Sequence, residues 1–438
     1  MEWWIVAILI FGGLLLVFST GMPIAFSFIF INIIGAYTLW GGTKGWEQLI
    51  FSMFDSVCTF SLLPVPLFVL MGEIMFHSGM GSRMLEAFDK WIGRVPGRLS
   101  LIGVAGGALL GALSGSSLAT TALLGTILIP EMEKRGYHKV MYLGPLIGSG
   151  GLGMIIPPSA MAVIIGSIAE ISIGQLLIAG IIPGLILAFF YACCIIFRTL
   201  INPQLAPPYP IMHIPLYEKI IYTVKYVIPL GLIIFLTMGL LLLGVVTPTE
   251  AAAVGCLGSF LLASIYRQLN WEIVKKSIFS SLDVSIMMFM IFTGSIAFSQ
   301  ILAFSGATQG LIKFATTLNL PPIVLLICMQ IIILILGFFI DGVSILMLTV
   351  PIFMPILRMS NMNLVWIGLL TLINIEIGTK TPPFGFLLFV MKGVAPEGTT
   401  MAEIYQSIWP FVIIECSVLA LLMIFPDLVT WLPGLMVK

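Results

Sequence analysis

Long apolar runs alternate along this chain with short polar or Gly/Pro-rich breaks, and the runs have the length that crosses a bilayer. A spanning helix needs about 20 mostly apolar residues at about 1.5 Å rise each. By that measure spans are expected near residues 3–19, 22–40, 62–78, 99–130 and 171–198, and again near 226–245, 249–266, 283–304, 323–357 and 409–430. Two further apolar segments, about 140–168 and about 365–391, are interrupted by Gly and Pro in their middles and read as hairpins that enter the membrane and turn back.

The two interruptions match. One reads GSGGLGMIIPPS from Gly148 to Ser159, the other NIEIGTKTPPFG from Asn374 to Gly385, and their Pro-Pro pairs lie 225 residues apart. With that displacement and no gap, Pro130 falls on Pro355, Ser116 on Asp341 and Pro23 on Pro248. The chain therefore divides into two repeats, residues 1–213 and 214–438, each with five spans and one hairpin. Five crossings are odd, so the second half starts on the opposite side of the membrane from the first and the repeats are inverted. Only the last span of the second half, at 409–430, is displaced from its counterpart. Paired Gly/Pro-interrupted segments in corresponding halves point to a transport site near the bilayer midplane.

Composition places the chain in the membrane class independently: 60% of its residues are hydrophobic and 9% charged, against roughly 45–50% and about 25% in soluble domains. Net charge is zero, with 19 basic and 19 acidic residues, which gives no basic face for nucleic acid. The cysteines Cys58, Cys193, Cys194, Cys256, Cys328 and Cys416 show no C-x-x-C spacing and lie mostly within apolar runs, where they act as small hydrophobes. The N-terminus turns apolar at Trp3 without a basic region or a small-residue cleavage site, so it reads as a first span.

The runs preceding the hairpins, 99–130 and 323–357, are too long for one crossing, and each is interrupted by small and hydroxylic residues: GALSGSSLATT from Gly111 to Thr121, and GFFIDGVSILMLT from Gly337 to Thr349. Such residues also let helices approach closely in lipid. Their pairing with the Pro-Pro hairpins favours broken helices. Carbonyls freed by unwinding must find protein, water or an ion, because lipid offers no partner.

Several motifs in order along nearly the whole chain resemble the large membrane subunit of the tripartite ATP-independent periplasmic (TRAP) transporters. They are GALSGSSLATTA, IPEMEKRGYHK from Ile129 to Lys139, IIPPS from Ile155 to Ser159, TPTEAAAVG from Thr247 to Gly255, and the D-G-x-S of Asp341 to Ser344. The resemblance implies an all-α polytopic membrane protein of the elevator type, in which a domain carrying both hairpins slides against a scaffold. It also implies sodium-driven uptake of a small organic anion such as a C4-dicarboxylate, a sialic acid or another sugar acid. The implied partners are a small four-span membrane subunit and a soluble periplasmic substrate-binding protein; the implied location is the bacterial inner membrane. No cofactor is implied beyond sodium as coupling ion.

Sodium is a hard cation and takes oxygen ligands, as the hard divalent cations do. Ser114 and Ser117, three residues apart, share a helical face where the helix persists, and the Gly150-Gly151-x-Gly153 turn can offer carbonyls opposite them. By the resemblance one ion falls to Ser114, Ser117, Gly153, Ile156 and Pro158, and a second to Asp341, Ser344, Gly378 and Thr381. Ser116, Pro157, Ser159, Lys380, Pro382 and Pro383, at the break and hairpin tips, are the candidates for substrate contact.

Charges within the apolar runs are the next candidates, since a carboxylate at the bilayer centre costs about 2.5–3.5 kcal/mol and rarely stays unpaired. Asp341, Glu250, Glu376, Glu73 and Lys380 qualify. Glu250 reads equally as a helix-start acid beside a capping Thr247 or Thr249, and Glu73 as the partner of a neighbour or a group near the interface. Lys380 departs from the family, where the residue before Thr-Pro-Pro is usually apolar. It follows Glu376 by four, so a local ion pair is the conservative reading. The sharper readings place its ammonium on the substrate carboxylate or in place of a sodium ion.

An intramembrane enzyme and an ion channel are the alternatives. His77, His138 and His213 form no H-E-x-x-H, GALSG lacks G-x-S-x-G spacing, and no P-loop for ATP occurs. A channel is separated from a coupled transporter only by saturable, coupled flux. Basic residues set the orientation. Lys44, Lys134, Arg135, Lys139, Lys313 and Lys438 share the N-terminal side, and the opposite side has Arg83, Lys90, Arg94, Arg98, Arg198, Lys219, Lys225, Arg267, Lys275, Lys276, Arg358 and Lys392. The excess puts the N-terminus in the periplasm.

Overall fold

A computed structural model describes residues 2–93, 95–207, 214–317 and 320–436. Arg94, His213 and Lys438 lie outside the described residues, as does residue 213 at the expected join of the halves. The first half is built from α1 (Trp3–Ser19), α2 (Ile24–Leu39), α3 (Thr43–Val57), α4 (Pro64–His77), α5 (Met80–Trp91), α6 (Arg98–Ser114), α7 (Ser117–Lys134), α8 (Leu143–Ile155), α9 (Ala160–Ile168), α10 (Ile173–Ala179) and α11 (Ile181–Ile201). The second comprises α12 (Leu216–Tyr222), α13 (Ile228–Leu242), α14 (Pro248–Ile265), α15 (Trp271–Phe304), α16 (Ala307–Thr317), α17 (Pro322–Gly337), α18 (Gly342–Arg358), α19 (Leu364–Thr379), α20 (Phe386–Val394), α21 (Met401–Ile424) and α22 (Asp427–Gly434). Among the described residues no strand occurs.

Displaced by 225 residues, α13 overlies α1, α14 overlies α2, α17 overlies α6, α18 overlies α7, α19 overlies α8, α20 overlies α9, and α21 covers the stretch of α10 and α11. One departure has a plain cause. The long α15 covers the stretch that α3 and α4 divide between them, and α4 opens on Pro64 with Pro66 behind it, whereas α15 contains no proline. A proline inside a helix removes a hydrogen bond and clashes with the preceding turn, so the first half breaks where the second runs on.

Four expected spans change. The long runs at 99–130 and 323–357 are each two helices. The span expected at 283–304 starts earlier, at Trp271, because the helix continues through polar sequence held by the Glu272–Lys276 pair. The span expected at 409–430 lies at 401–424, and the displacement from its counterpart disappears. Thr400 and Glu403 start that helix with a capping box, each side chain satisfying the other's backbone N–H, and Pro410 is accommodated within it.

Six helices or helix pairs are long and apolar enough to span by themselves: 60–77, 173–201, 216–242, 248–265, 271–304 and 401–424. The α8–α9 pair passes the same test as a segment bent by 45°. The helices α1, α2, α6, α17, α18 and α19 are apolar but shorter; a helix of 17 residues such as α1 covers about 25 Å. Helix α8 lies at the centre, wholly buried, with α6, α7, α11, α19, α20 and α21 packed around it. Helices α2, α3, α4, α14 and α15 pack on one another as a second group.

Candidate functional site

The break between α6 and α7 turns on Gly115, whose φ of +59° few side-chain-bearing residues adopt. Ser116 caps α7 by accepting from the Ala119 N–H at 3.4 Å. Its carbonyl accepts from Thr120 Oγ1 at 2.8 Å, and Ser114 Oγ lies 2.8 Å from Thr120 Oγ1. The bent α8–α9 segment, expected as the first hairpin, comes directly against this break. A Cβ on Gly111 would sit 2.5 Å from Gly153 Cα, and one on Gly115 would sit 3.3 Å from the Pro158 carbonyl oxygen. Ser159 caps α9, accepting from Ala162 N at 3.3 Å and donating to the Met154 carbonyl at 2.6 Å. Ser114, Ser116, Gly153, Pro158 and Ser159 are thus gathered in one place. Ser117 faces the Glu376 carboxyl group instead, and the Ile156 side chain packs on Gly184 of α11.

The second break repeats the device with a charge in it. Asp341, at the position of Ser116 after the 225-residue displacement, caps α18: Oδ2 accepts from Ser344 N at 3.2 Å and Oδ1 from Ser344 Oγ at 2.5 Å. A carboxylate has about four lone-pair positions, so this cap leaves acceptor capacity free. Gly337 meets Gly378 as Gly111 meets Gly153, a Cβ on Gly337 falling 2.6 Å from Gly378 Cα. The Thr381 hydroxyl donates to the Ile377 carbonyl at 2.6 Å. Beyond it Pro382 is half-buried and Pro383 exposed, with the Pro383 carbonyl accepting from the Tyr405 hydroxyl at 2.6 Å. In the first hairpin both Pro157 and Pro158 are buried. In both hairpins the Pro-Pro peptide bond is cis.

The two regions meet at Lys380. Its ammonium, fully buried, lies 3.2 Å from Glu376 Oε1, the expected local partner, and makes a closer hydrogen bond of 2.6 Å to Glu415 Oε1 on α21. Tyr191 of α11 donates to the same Glu415 oxygen. Sequence reasoning missed Glu415, although a lone carboxylate inside the apolar run of α21 was a signal of the same kind as Glu376. It also missed the buried amide network in which Asn374 Nδ2 donates to the Gln330 carbonyl at 2.6 Å and to Gln330 Oε1 at 2.8 Å, while Gln330 Nε2 donates to Thr371 Oγ1 at 3.2 Å. That network fastens α17 to α19 beside the second break. Glu250 is the acid of a capping box, accepting from Thr247 N at 2.7 Å, and Glu73 pairs with His77 at 3.3 Å.

A polytopic helical protein whose interior brings interrupted helices against bent or broken segments has the architecture of a secondary membrane transporter. The chain matches the family described as "Tripartite ATP-independent periplasmic transporter, DctM component" over residues 11–428. It is 30% identical to the C4-dicarboxylate TRAP transporter large permease protein DctM of Rhodobacter capsulatus, covering 98% of this chain and 99% of that one. It is also 30% identical to the sialic acid TRAP transporter large permease protein SiaM of Vibrio cholerae (97% and 98%) and 29% identical to the ectoine TRAP transporter large permease protein TeaC of Halomonas elongata (97% and 97%). Among solved structures the fold is shared with MtrF of Neisseria gonorrhoeae, with TM-score 0.62 and 15% identity over 87% of this chain and 85% of that one, and with the YdaH transporter of Alcanivorax borkumensis, with TM-score 0.59 and 14% identity over 87% and 89%. The chain belongs to the DctM family of TRAP transporter large permeases. It is therefore a multi-pass inner-membrane transport subunit of a tripartite system and not an enzyme.

Proposed function

We propose that this chain carries a small carboxylate-bearing solute across the inner membrane, driven by a sodium gradient, together with a four-span membrane subunit and a periplasmic protein that delivers the solute. The observation that carries the reading is the paired geometry: each broken helix is capped by an oxygen-bearing side chain, Ser116 or Asp341, and each is pressed through a glycine contact against its own hairpin. One sodium ion is assigned to Ser114, Gly153, Ile156 and Pro158, without Ser117, whose side chain faces Glu376, and a second to Asp341, Ser344, Gly378 and Thr381. Solute contact is assigned to Ser116, Pro157, Ser159, Pro382 and Pro383; in this conformation Lys380 is committed to two carboxylates. Relatives named for a C4-dicarboxylate, a sialic acid and ectoine support a carboxylate-bearing solute. The repeats at 1–213 and 214–438 are read as inverted and the N-terminus as periplasmic, with the hairpin-bearing helices moving against the α2, α3, α4, α14 and α15 group in an elevator motion.

The test is uptake of candidate carboxylates into proteoliposomes containing both membrane subunits, with the binding protein added outside and a sodium gradient imposed. Saturable uptake is expected only with all three proteins and inward sodium. Uptake that ignores the sodium gradient, or robust uptake by the large subunit alone, overturns the reading.

A further inference from the structure

Three span ends meet on one face of the membrane, those of the segments 60–77, 216–242 and 248–265. Helix α5 follows the first and packs on α12 and on the turn that continues it. Tyr266, just past the end of α14, lies against Tyr226 with 5.8 Å between ring centres. The cations at this joint are oriented chiefly by aromatic rings. Lys219 Nζ lies 5.9 Å from the centre of the Trp91 ring, and Lys225 Nζ and Arg83 Cζ lie 5.4 and 5.6 Å from that of Tyr226. Lys90 alone has a carboxylate, sitting 3.9 Å over Tyr222 and 2.6 Å from Glu218 Oε1. The rings are fixed in turn: Trp91 Nε1 donates to Thr223 Oγ1 at 2.5 Å, and the Tyr266 hydroxyl donates to the Lys225 carbonyl.

This grouping has more positive charge than it has partners for. Among the described residues Arg83, Lys219, Lys225 and Arg267, the last directly after Tyr266, form no ion pair. With Lys90, and with Glu86 and Glu218 beside it, five cations face two carboxylates, a net charge of +3. A ring within about 6 Å holds a cation in place, yet it leaves most of the three ammonium donors of a lysine free for an oxygen ligand. Lys225 and Tyr226 also lie in a π turn, Thr223–Val227, a rare local geometry that recurs at functional sites. Along the same segment Ile220, Ile221, Val224 and Ile228 are exposed, as are Tyr217 and Trp91. Exposed tyrosine and tryptophan at span ends mark the depth of the lipid headgroups.

We propose that the joint of α5, α12 and the end of α14 binds an anionic phospholipid, its phosphate held by Arg83, Lys219 and Lys225 and its acyl chains lying along Ile221, Val224 and Ile228. The charge selects an anionic headgroup over a zwitterionic one, since basic clusters beside spans attract anionic lipid. The apolar flank selects a lipid over a soluble anion, which would leave that flank uncovered. The site shares no residue with either helix break and depends on neither the sodium nor the solute assignments.

The test uses the complex of the two membrane subunits, stripped of lipid in a neutral detergent and titrated with phosphatidylglycerol or phosphatidylcholine. Melting temperature and native mass spectrometry of retained lipid are the readouts. Phosphatidylglycerol should raise the melting temperature and stay bound, and phosphatidylcholine should do neither. Lys219→Gln/Lys225→Gln should weaken apparent phosphatidylglycerol affinity about tenfold or more. Lys225→Gln alone, an exposed change that keeps the backbone bond to Tyr266, should weaken it in the same direction even if the double variant does not fold. Lys275→Gln/Lys276→Gln, at the start of α15 on the same face of the membrane, should leave it unchanged. Equal loss in both double variants would reduce the effect to general surface charge and overturn the proposal. So would equal stabilisation by inorganic phosphate, which makes the ligand a soluble anion. Loss of the small subunit from Lys219→Gln/Lys225→Gln on gel filtration, with the wild-type complex intact, would make the face a subunit interface and overturn it as well. None of these outcomes alters the proteoliposome result, and the reverse holds too.

Discussion

The two helix breaks share a backbone and differ in chemistry. In the first, every side chain at the break is neutral and the hairpin tip, with Pro157 and Pro158, is buried. In the second, a carboxylate replaces Ser116, the facing turn between α19 and α20 lengthens to the stretch from Lys380 to Gly385, and Pro383 and Phe384 stand exposed. Geometry is thus set by features common to both, a glycine-to-glycine crossing and an oxygen cap. The charge has been added to one copy only, where Asp341 and Lys380 each need a compensating partner. The comparison separates what holds the shape of the breaks from what gives one of them its charge, and substitutions can test the two independently.

The largest effect is expected from removing Lys380, because Lys380→Met strands two buried carboxylates. Breaking a buried pair by deleting one partner costs about 3–5 kcal/mol, so the variant should give little folded protein in the membrane. Glu376→Gln leaves the 2.6 Å Lys380–Glu415 contact as a balanced pair and should fold with a melting temperature at or above wild type. Thermal melts of the two detergent-solubilised variants check this. Equal damage from both would mean that packing and not charge balance governs the cluster.

Next come the crossings that the two breaks share. A methyl group on Gly111 would enter the backbone of Gly153, and one on Gly337 the backbone of Gly378, at 2.5 and 2.6 Å. Neither neighbour is a flexible side chain, so both helix pairs must move apart, at about 1–3 kcal/mol for overpacking of this kind. Gly111→Ala and Gly337→Ala should therefore reduce sodium-driven uptake by similar factors while the protein still inserts. Uptake assays in which only one of the two is impaired would break the equivalence of the crossings.

The parts of this architecture that the sequence made legible are those that interrupt a pattern. Pro-Pro pairs, glycine clusters and a lone aspartate stand out against apolar runs, and their common displacement located both breaks and both Pro-Pro interruptions. Amphipathic elements such as α3 and α5 stayed hidden, because a search for continuous apolar runs passes over helices with one polar face. Pro410 inside α21 and the Thr400/Glu403 cap moved the last span's true start several residues upstream of its apolar stretch. Glu376 was found as the partner of Lys380 because four residues separate them on one helix. Glu415 is 35 residues from Lys380 and reaches it only through the packing of α19 on α21, for which sequence spacing offers no rule.

Asp341 tests the charge that distinguishes the second break. Asparagine caps helices about as well as aspartate, so Asp341→Asn keeps the start of α18 and removes only the charge. Apparent sodium affinity should fall by about tenfold or more, corresponding to at least about 1.4 kcal/mol, and uptake should fall with it. Sodium titration of the initial uptake rate measures this. Wild-type sodium dependence in the variant would reduce Asp341 to the cap that its bonds to Ser344 already show.

The smallest effect belongs to the matching position in the first break. Ser116→Ala deletes an acceptor for the Ala119 N–H, but it leaves the Ser116 carbonyl, which receives Thr120 Oγ1 at 2.8 Å, and it removes no charge. Loss of a serine cap costs about 1 kcal/mol of helix stability. The hydrogen bond it deletes is long at 3.4 Å, so the cost should fall in the lower part of the usual span of about 0.5–2 kcal/mol. Melting temperature should drop slightly, and apparent sodium affinity should change by less than in Asp341→Asn. The ratio of the two affinity changes is the informative quantity: a large ratio assigns the cation's electrostatic hold to the second break. A ratio near one would mean that both breaks bind through the geometry they share, with the Asp341 charge answering some other partner.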